Sequence, residues 1–320
     1  MTVANLTRTF GVEMEVNTNL PADTLAAAIS TEFWARGIAQ RCEAQGYNHT
    51  TQSIWKIVQD GTVRPGWEIV SPPMTLAEGK AQLEAVCSAL QSLDCWVSRQ
   101  TGLHVHHDAR NLTGTQVGQA FATYATFQDI LSQMVAPSRR NNTYARPLSW
   151  DRITQNGTDK FDSDSRALPG HVRPVPGDIE SKIQNRVGGR YVTMNIQAVL
   201  AHGTIEFRQH QGSLNATKIF SWVLITQSII ESAVQGTARS LKPTSVIRAE
   251  GKPNAFRKRG EFARFRDTVG VSPSANKVPM SQGDPATWTP AWQAVEDACN
   301  DYYVPAFRYF AQVVKKFAAS

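Results

Sequence analysis

The sequence has few cysteines, few charged residues and no long apolar run. Four cysteines occur among its 320 residues, none in a Cys-x-x-Cys pair, which disfavours a zinc site built from cysteine. No apolar stretch reaches the roughly 18 residues of a membrane span. The N-terminus lacks a charged start followed by an apolar run, so we expect no secretory signal. A cytoplasmic protein without membrane contact is therefore predicted.

Motifs for nucleotide binding and nucleophilic catalysis are also missing. The sequence contains no Gly-x-x-x-x-Gly-Lys-Ser/Thr loop, no Gly-x-Gly-x-x-Gly after a strand and no Gly-x-Ser-x-Gly elbow. These absences argue against P-loop, Rossmann and α/β-hydrolase chemistry. If the chain is an enzyme, we expect metal ions and electrostatics to drive the reaction without a covalent enzyme intermediate.

The composition is that of a globular protein, with 41% hydrophobic and 19% charged residues. Its net charge of +6 suits anionic substrates such as nucleotides, and it equally suits solubility alone. Strand hairpins alternate with helical segments along the chain, which predicts an α+β fold. We expect an antiparallel sheet covered by helices on one side. Residues 1–320 are expected to form a single catalytic domain.

Three segments place charged or ligating side chains on one face of a predicted strand. They are Phe10–Val16, Gly102–His106 and Gly203–His210. Because side chains alternate along a strand, each segment has an apolar face and a polar face. The polar faces hold Glu13, Glu15, His104, His106, Glu206, Arg208 and His210. A sheet of these strands would have an apolar back and a front able to hold divalent metal and phosphate.

The carboxylates of this front predict a cation site. Glu13 and Glu15 would lie about 7 Å apart and repel by roughly 2 kcal/mol at an effective dielectric of about 20. In a cleft, such a pair needs a cation, and magnesium prefers oxygen ligands. The His104–His106 pair also suits zinc, so the residues alone leave the metal open. Glu68 is a further candidate ligand, whereas Asp60 is interpreted as a turn residue.

Arginines near these segments indicate phosphate binding. Arg208 shares the face of Glu206, and its planar guanidinium matches phosphate geometry. Arg139 and Arg140 begin a polar segment, Pro137–Pro176, that we interpret as a loop or lid able to fold over a nucleotide or acidic substrate.

The sequence also contains a basic stretch. Arg239–Arg266 holds nine lysines and arginines interleaved with phenylalanines. It predicts either a solvated loop or a surface that binds nucleic acid or another acidic partner.

Five motifs occur in order along the chain: Phe10–Val16, Glu68–Pro73, Gly102–His106, Pro137–Arg140 and Gly203–His210. Together they resemble the amidoligase family of the carboxylate–amine ligase superfamily, which includes glutamine synthetase and glutamate–cysteine ligase. The resemblance covers about residues 7–235, leaving the basic loop and predicted C-terminal helices of 236–320 outside.

This resemblance implies a glutamine synthetase-like catalytic fold, a curved antiparallel sheet with helices on its outer face. ATP and two or three divalent ions, Mg²⁺ or Mn²⁺, would lie on the inner face. The implied metal ligands are Glu13, Glu15, Glu68, His104 and Glu206. His106 is implied to lie near ATP, with Arg139 or Arg140 as further nucleotide contacts. Arg208 is implied to bind phosphate and, with Glu206, to act in catalysis.

We therefore expect an ATP-dependent ligase that joins a carboxylate to an amine through an acyl phosphate. Two alternatives stay open: a phosphotransferase of the guanidino-kinase type on the same fold, and a non-catalytic nucleic-acid-binding protein using Arg239–Arg266. Small-molecule or peptide acids and amines are the expected partners. Their identity, the number of metal ions and the oligomeric state do not follow from the sequence.

Overall fold

The computed structural model of the protein describes residues 8–148, 189–235, 265 and 309. Nearly all of the predicted C-terminal helices over Pro285–Phe317, nearly all of the basic stretch and most of Pro137–Pro176 lie outside these residues. The strands are β1 (Phe10–Asn17), β2 (Cys42–Ala44), β3 (Trp55–Val58), β4 (Gly66–Val70), β5 (Gly102–Asp108), β6 (Met194–Asn195) and β7 (Thr204–Gln211). The helices are α1 (Ala22–Ala35), α2 (Leu76–Ser92), α3 (Gly114–Met134), α4 (Ala198–His202) and α5 (Ala216–Val234), with a 3-10 turn at Pro137–Arg139.

The seven strands form one sheet in the order β2-β3-β4-β1-β5-β7-β6. All neighbours are antiparallel except β2 and β3, which are parallel. The α+β class is thus confirmed, and the antiparallel prediction needs correction at this one pair. β1 lies in the middle of the sheet and pairs with β4 on one side and β5 on the other.

Helices cover the apolar back of the sheet. Aromatic contacts join the two layers: Phe33 of α1 lies 6.2 Å from Trp55 of β3, and Tyr124 of α3 lies 5.7 Å from Phe207 of β7, measured between ring centroids. The sheet back and the inner faces of α1, α2, α3 and α5 form one buried apolar core. Within the described residues, no helix is long and apolar enough to cross a membrane.

Local signals set the helix starts correctly. Thr75 and Glu78 form a reciprocal capping box at the start of α2, and Thr113 and Gln116 form another at the start of α3. Each box satisfies two backbone N–H groups that have no partner within the helix. The sequence predicts helices over Leu76–Leu93, about Gly114–Met134 and Ala216–Val234. The last two agree with α3 and α5, and α2 ends one residue before its predicted end.

The first helix is shorter than predicted. We expected it to run to Gln45, but α1 ends at Ala35 and the chain turns at Gly37, whose φ of 66° lies in the left-handed region. The residues that follow extend into β2 and pair with β3. Glycine permits this turn, and the pairing of β2 with a strand further along the chain leaves no local periodic signal.

The prediction that His210 lies on the front of the sheet is wrong, because β7 contains a β-bulge. Leu103 is paired with His210 and Val105 with Phe207, so two residues of β7 stand opposite the single residue His104. Beyond the bulge the alternation is reversed. His210 therefore lies on the back of the sheet, where its ring is 5.3 Å from that of Trp222 in α5.

Candidate active site on the front of the sheet

Strand register brings the predicted carboxylates and imidazoles together on the front of the sheet. Residues that oppose each other in a ladder point to the same face. Three opposed pairs create the group that we name the front cluster: Glu13 with His104, Glu15 with Glu68, and His106 with Glu206. Six of the predicted site residues thus lie together, although the chain separates them widely.

Glu13 is at the centre of the front cluster. One of its carboxylate oxygens lies 2.8 Å from His104 Nδ1 and the other lies 3.3 Å from His106 Nε2. Glu206 Oε1 lies 3.7 Å from His104 Nδ1 and 3.8 Å from His106 Nε2. Glu15 approaches from the other end, with Oε1 3.8 Å from His104 Nε2. The side chains are close enough to share a cation.

Three overlapping sets of ligand atoms could hold metal ions. Within each set the atoms lie within 4.8 Å of one another. Carboxylate oxygens with at most one imidazole per set suit magnesium or manganese. The sets are Glu13–Glu68–His104, Glu13–His106–Glu206 and Glu15–Asp60–Glu68.

In the front cluster, positive charge compensates the carboxylates near His106 but not those near Glu68. Burial favours the neutral form of Glu13, but the charge of His106 and hydrogen bonds with both imidazoles hold its pKa well below the usual value. Burial also favours the neutral form of Glu206, but the positive charges of His106 and Arg208 outweigh this effect, so the pKa of Glu206 is lowered. Burial lowers the pKa of His106, but Glu13 and Glu206 overcome that effect and raise it.

Negative charge accumulates at the end of the front cluster that contains Glu68. Burial and the charges of Glu13, Asp60 and Glu15 raise the pKa of Glu68 well above its usual value. A divalent cation bound there would offset the repulsion, because an opposite charge at short range favours the ionised carboxylate. The donor set and its electrostatics therefore fit a metal site.

Two arginines flank the front cluster on its β7 side. Arg208 pairs with Glu206 through Nη1, donates from Nε to the Tyr144 carbonyl at 3.3 Å and lies 5.9 Å from the Tyr191 ring centroid. Arg139 was predicted to stand on a loop, but it is 3% exposed and donates to the backbone carbonyl of Arg208 at 2.8 Å. Its position in the 3-10 turn against β7 fixes it beside the site. Arg140 follows this turn and is half-buried.

Gly102 provides the space that these side chains share. Its backbone N–H donates to Glu15 Oε2 at 2.5 Å. A Cβ at this position would lie 3.2 Å from Arg139 Nη2 and 3.4 Å from both Glu15 Oε2 and His104 Nε2. The glycine thus lets the backbone approach the carboxylate closely.

Sequence reasoning missed two members of the site. Asp60 was interpreted as a turn residue, yet it joins Glu15 and Glu68 in a potential ligand set. The available signal was its spacing: Lys56, Val58 and Asp60 are each two residues apart, so Asp60 continues the face of β3 that carries Lys56. Asn195, which donates to Glu206 Oε2 at 2.7 Å, had no comparable signal because β6 is only two residues long.

A cleft of about 250 Å³ opens beside the front cluster. Glu13, Glu68 and His106 line its inner end, and the loop between β2 and β3 forms its outer wall. The cluster is therefore reached from a space large enough for a small polar molecule.

Comparison with solved structures gives two distant likenesses. A bifunctional glutathione synthetase from Pasteurella multocida aligns with a TM-score of 0.42 and 12% identity over 98% of this chain and 51% of that chain. The complex between the prokaryotic ubiquitin-like protein Pup and its ligase PafA gives 0.40 and 9% over 97% and 64%. The chain thus spans about half to two thirds of these structures.

No curated protein sequence matches the chain. A family model does match: residues 6–230 fit the family described as "Putative amidoligase enzyme". The match takes in every strand and nearly all of every helix described above. The chain belongs to this amidoligase family.

Proposed function

We propose that the protein is an ATP-dependent carboxylate–amine ligase. Family membership supports a ligase. The observation that carries the proposal is the front cluster, with Arg208 and Arg139 on one side and a cleft on the other. Such an arrangement suits phosphoryl transfer, which requires cations around the transferring group and a precisely held acceptor.

The proposed reaction has two steps. An oxygen of the substrate carboxylate attacks the γ-phosphorus of ATP, the bond to the β,γ-bridging oxygen breaks and ADP leaves. The amine nitrogen then attacks the acyl carbon, the carbon–oxygen bond to phosphate breaks and inorganic phosphate leaves. The amine loses a proton to solvent, and the product is an amide.

Each residue has a role that follows from its chemistry. Glu13, Glu15, Glu68, His104 and Glu206 would hold Mg²⁺ or Mn²⁺, which supply positive charge to the phosphate oxygens when bound. Arg208 would stabilise the charge of the transferring group, and its pairing with Glu206 orients it. His106 and Arg139 would contact the nucleotide. Arg140, beyond the turn, is a weaker candidate for this role than the buried Arg139.

The direct test is a screen for ATP turnover. ATP hydrolysis is measured against pools of amino acids and peptides, and mass spectrometry seeks a product lighter by one water than the two substrates combined. Added hydroxylamine should trap an acyl phosphate as a hydroxamate. A phosphorylated product that is stable and forms no amide would favour a phosphotransferase instead.

A substitution in the front cluster tests whether turnover depends on these residues. Glu15→Gln should weaken Mg-ATP binding or turnover by at least about 100-fold, because metal ligands are seldom replaceable by an amide. Glu84→Gln, which removes an exposed carboxylate of α2, is the matched control. Calorimetric titration that found wild-type affinity together with a wild-type rate in Glu15→Gln would exclude the metal role.

A further inference from the structure

The outer wall of the cleft is the loop that joins β2 to β3, and a buried lysine holds it. Lys56 of β3 is 3% exposed. Its ammonium donates to the Asn48 carbonyl at 3.1 Å, to Asn48 Oδ1 at 2.7 Å and to the Thr50 carbonyl at 2.8 Å. An ammonium has three N–H donors, so the loop uses all of them. Lys56 therefore has no donor left for a phosphate.

Amide side chains brace the same loop across its base. Gln45 and Gln52 exchange two hydrogen bonds, of 2.9 and 2.8 Å, and Asn48 donates to Gln45 Oε1 at 3.2 Å. Asn48 thus connects the brace to Lys56. These contacts are all polar and are only partly buried. The conformation of the loop therefore depends on hydrogen bonds to the Lys56 ammonium more than on apolar packing.

The other lysine or arginine among the described residues that line the cleft is also engaged. Arg110 donates from Nε and Nη2 to the two carboxylate oxygens of Asp108, each at 2.8 Å. Outside its inner end, where His106 lies beside Glu13 and would contact the nucleotide, the described part of the cleft wall offers hydroxyl, amide, carboxylate and imidazole groups, including Thr204 and His202, but no lysine or arginine that is not already paired. Arg208 lies on β7 and pairs with Glu206, Arg139 donates to the backbone carbonyls of Arg208 and Gln209, and neither arginine lines the cleft.

The arginines beside β7 and the cleft without an unpaired lysine or arginine suit substrates of different charge. We infer that the cleft receives the amine-bearing substrate, and that Lys56 is a positioning residue that fixes the Asn48–Gln52 segment as the wall of that site. The inference rests on the proposed function. The polyanionic nucleotide would bind on the side of Arg139 and Arg208, and the amine would reach the acyl carbon from the Lys56 side.

The first experiment measures the wall itself. Lys56→Met keeps most of the side-chain stem and removes the ammonium, and Arg36→Met removes an exposed cation at the C-cap of α1 as the control. We expect amide hydrogen exchange in 45–54 to accelerate at least about tenfold in Lys56→Met and to stay unchanged in Arg36→Met, because local opening sets exchange rates. Asn48→Ala removes the Oδ1 acceptor and the amide's hydrogen bonds to Gln45 and Gly46 but leaves the ammonium and its two backbone acceptors. It should show a smaller acceleration and serves if Lys56→Met does not fold.

The second measurement separates a positioning role from a phosphate contact. The affinity of Lys56→Met for Mg-ATP should stay within about threefold of wild type, since its ammonium is fully engaged by the loop. A large loss of Mg-ATP affinity with unchanged exchange in the loop would overturn the inference and make Lys56 a nucleotide ligand. Failure of wild type to bind Mg-ATP would instead contradict the proposed function, and the exchange result would still stand.

The third measurement addresses the class of ligand with two small probes. Glycinamide has a primary amine and no carboxylate, whereas N-acetylglycine has a carboxylate and no amine. Glycinamide should slow exchange in the loop of wild type more than in Lys56→Met, and N-acetylglycine should not slow it. Protection by N-acetylglycine alone, or no protection by glycinamide, would overturn the assignment of the cleft to the amine.

Discussion

The two faces of the central strand β1 perform different tasks. Glu13 and Glu15 point to the front, where carboxylates crowd and imidazoles and arginines compensate them. Met14, between them, points to the back and is 1% exposed in the apolar core. The front gathers like charges that oppose folding, and the back supplies the burial that offsets this cost. Adjacent residues can therefore be changed with opposite consequences for stability and activity.

The largest expected effect on stability comes from the back. Met14→Ala should lower the free energy of unfolding by about 2–5 kcal/mol, because it leaves a cavity in a fully buried site. Urea denaturation measures this change. The protein that remains folded should bind Mg-ATP as wild type does. A loss below about 1 kcal/mol would show that the back of β1 contributes little to the core.

Arg208→Lys should affect the reaction and not the fold. Lysine keeps the charge but loses the planar guanidinium, and losing a charge-stabilising donor typically costs roughly 3 kcal/mol, or about 10²–10³ in rate. We expect Mg-ATP affinity within about tenfold of wild type and turnover at least about 100-fold slower. An unchanged rate constant would reduce Arg208 to an ion-pair partner of Glu206.

Glu68→Gln should stabilise the metal-free protein. The substitution removes one member of a group of repelling carboxylates whose oxygens lie within 4.8 Å of one another, and charges about 5 Å apart repel by roughly 3 kcal/mol at an effective dielectric of about 20. We expect a gain of about 1–2 kcal/mol in chelator and weaker metal binding. Thermal unfolding with and without Mg²⁺ measures both. Equal destabilisation under the two conditions would contradict a strained acidic centre.

The smallest predicted effect is a pH dependence at the back. Burial and the charge of Lys218 lower the pKa of His210 to about 3. The unfolded chain binds this proton near pH 6.5, so the neutral histidine stabilises the fold above that pH and stability falls as the pH drops toward 3. At pH 5.5 the loss should be about 1.4 kcal/mol. His210→Gln should remove this part of the slope, and an unchanged slope would place the titration elsewhere.

The sequence predicted much of this arrangement because strand alternation is a local property. The faces of Glu13, Glu15, His104 and His106 follow from period-two spacing, and polar residues set the starts of α2 and α3. His210 was placed on the wrong face because a bulge depends on the partner strand. The burial of Arg139 was missed because it depends on contact with β7, about 70 residues away.

Strand order also has a consequence for synthesis of the chain. Glu13 belongs to the first of the described strands, yet its neighbours His104 and Glu206 arrive with β5 and β7. Pairings so distant in sequence form late and slowly, because loop closure precedes the contacts that reward it. A nascent chain therefore holds no complete front cluster until residue 211 has left the ribosome.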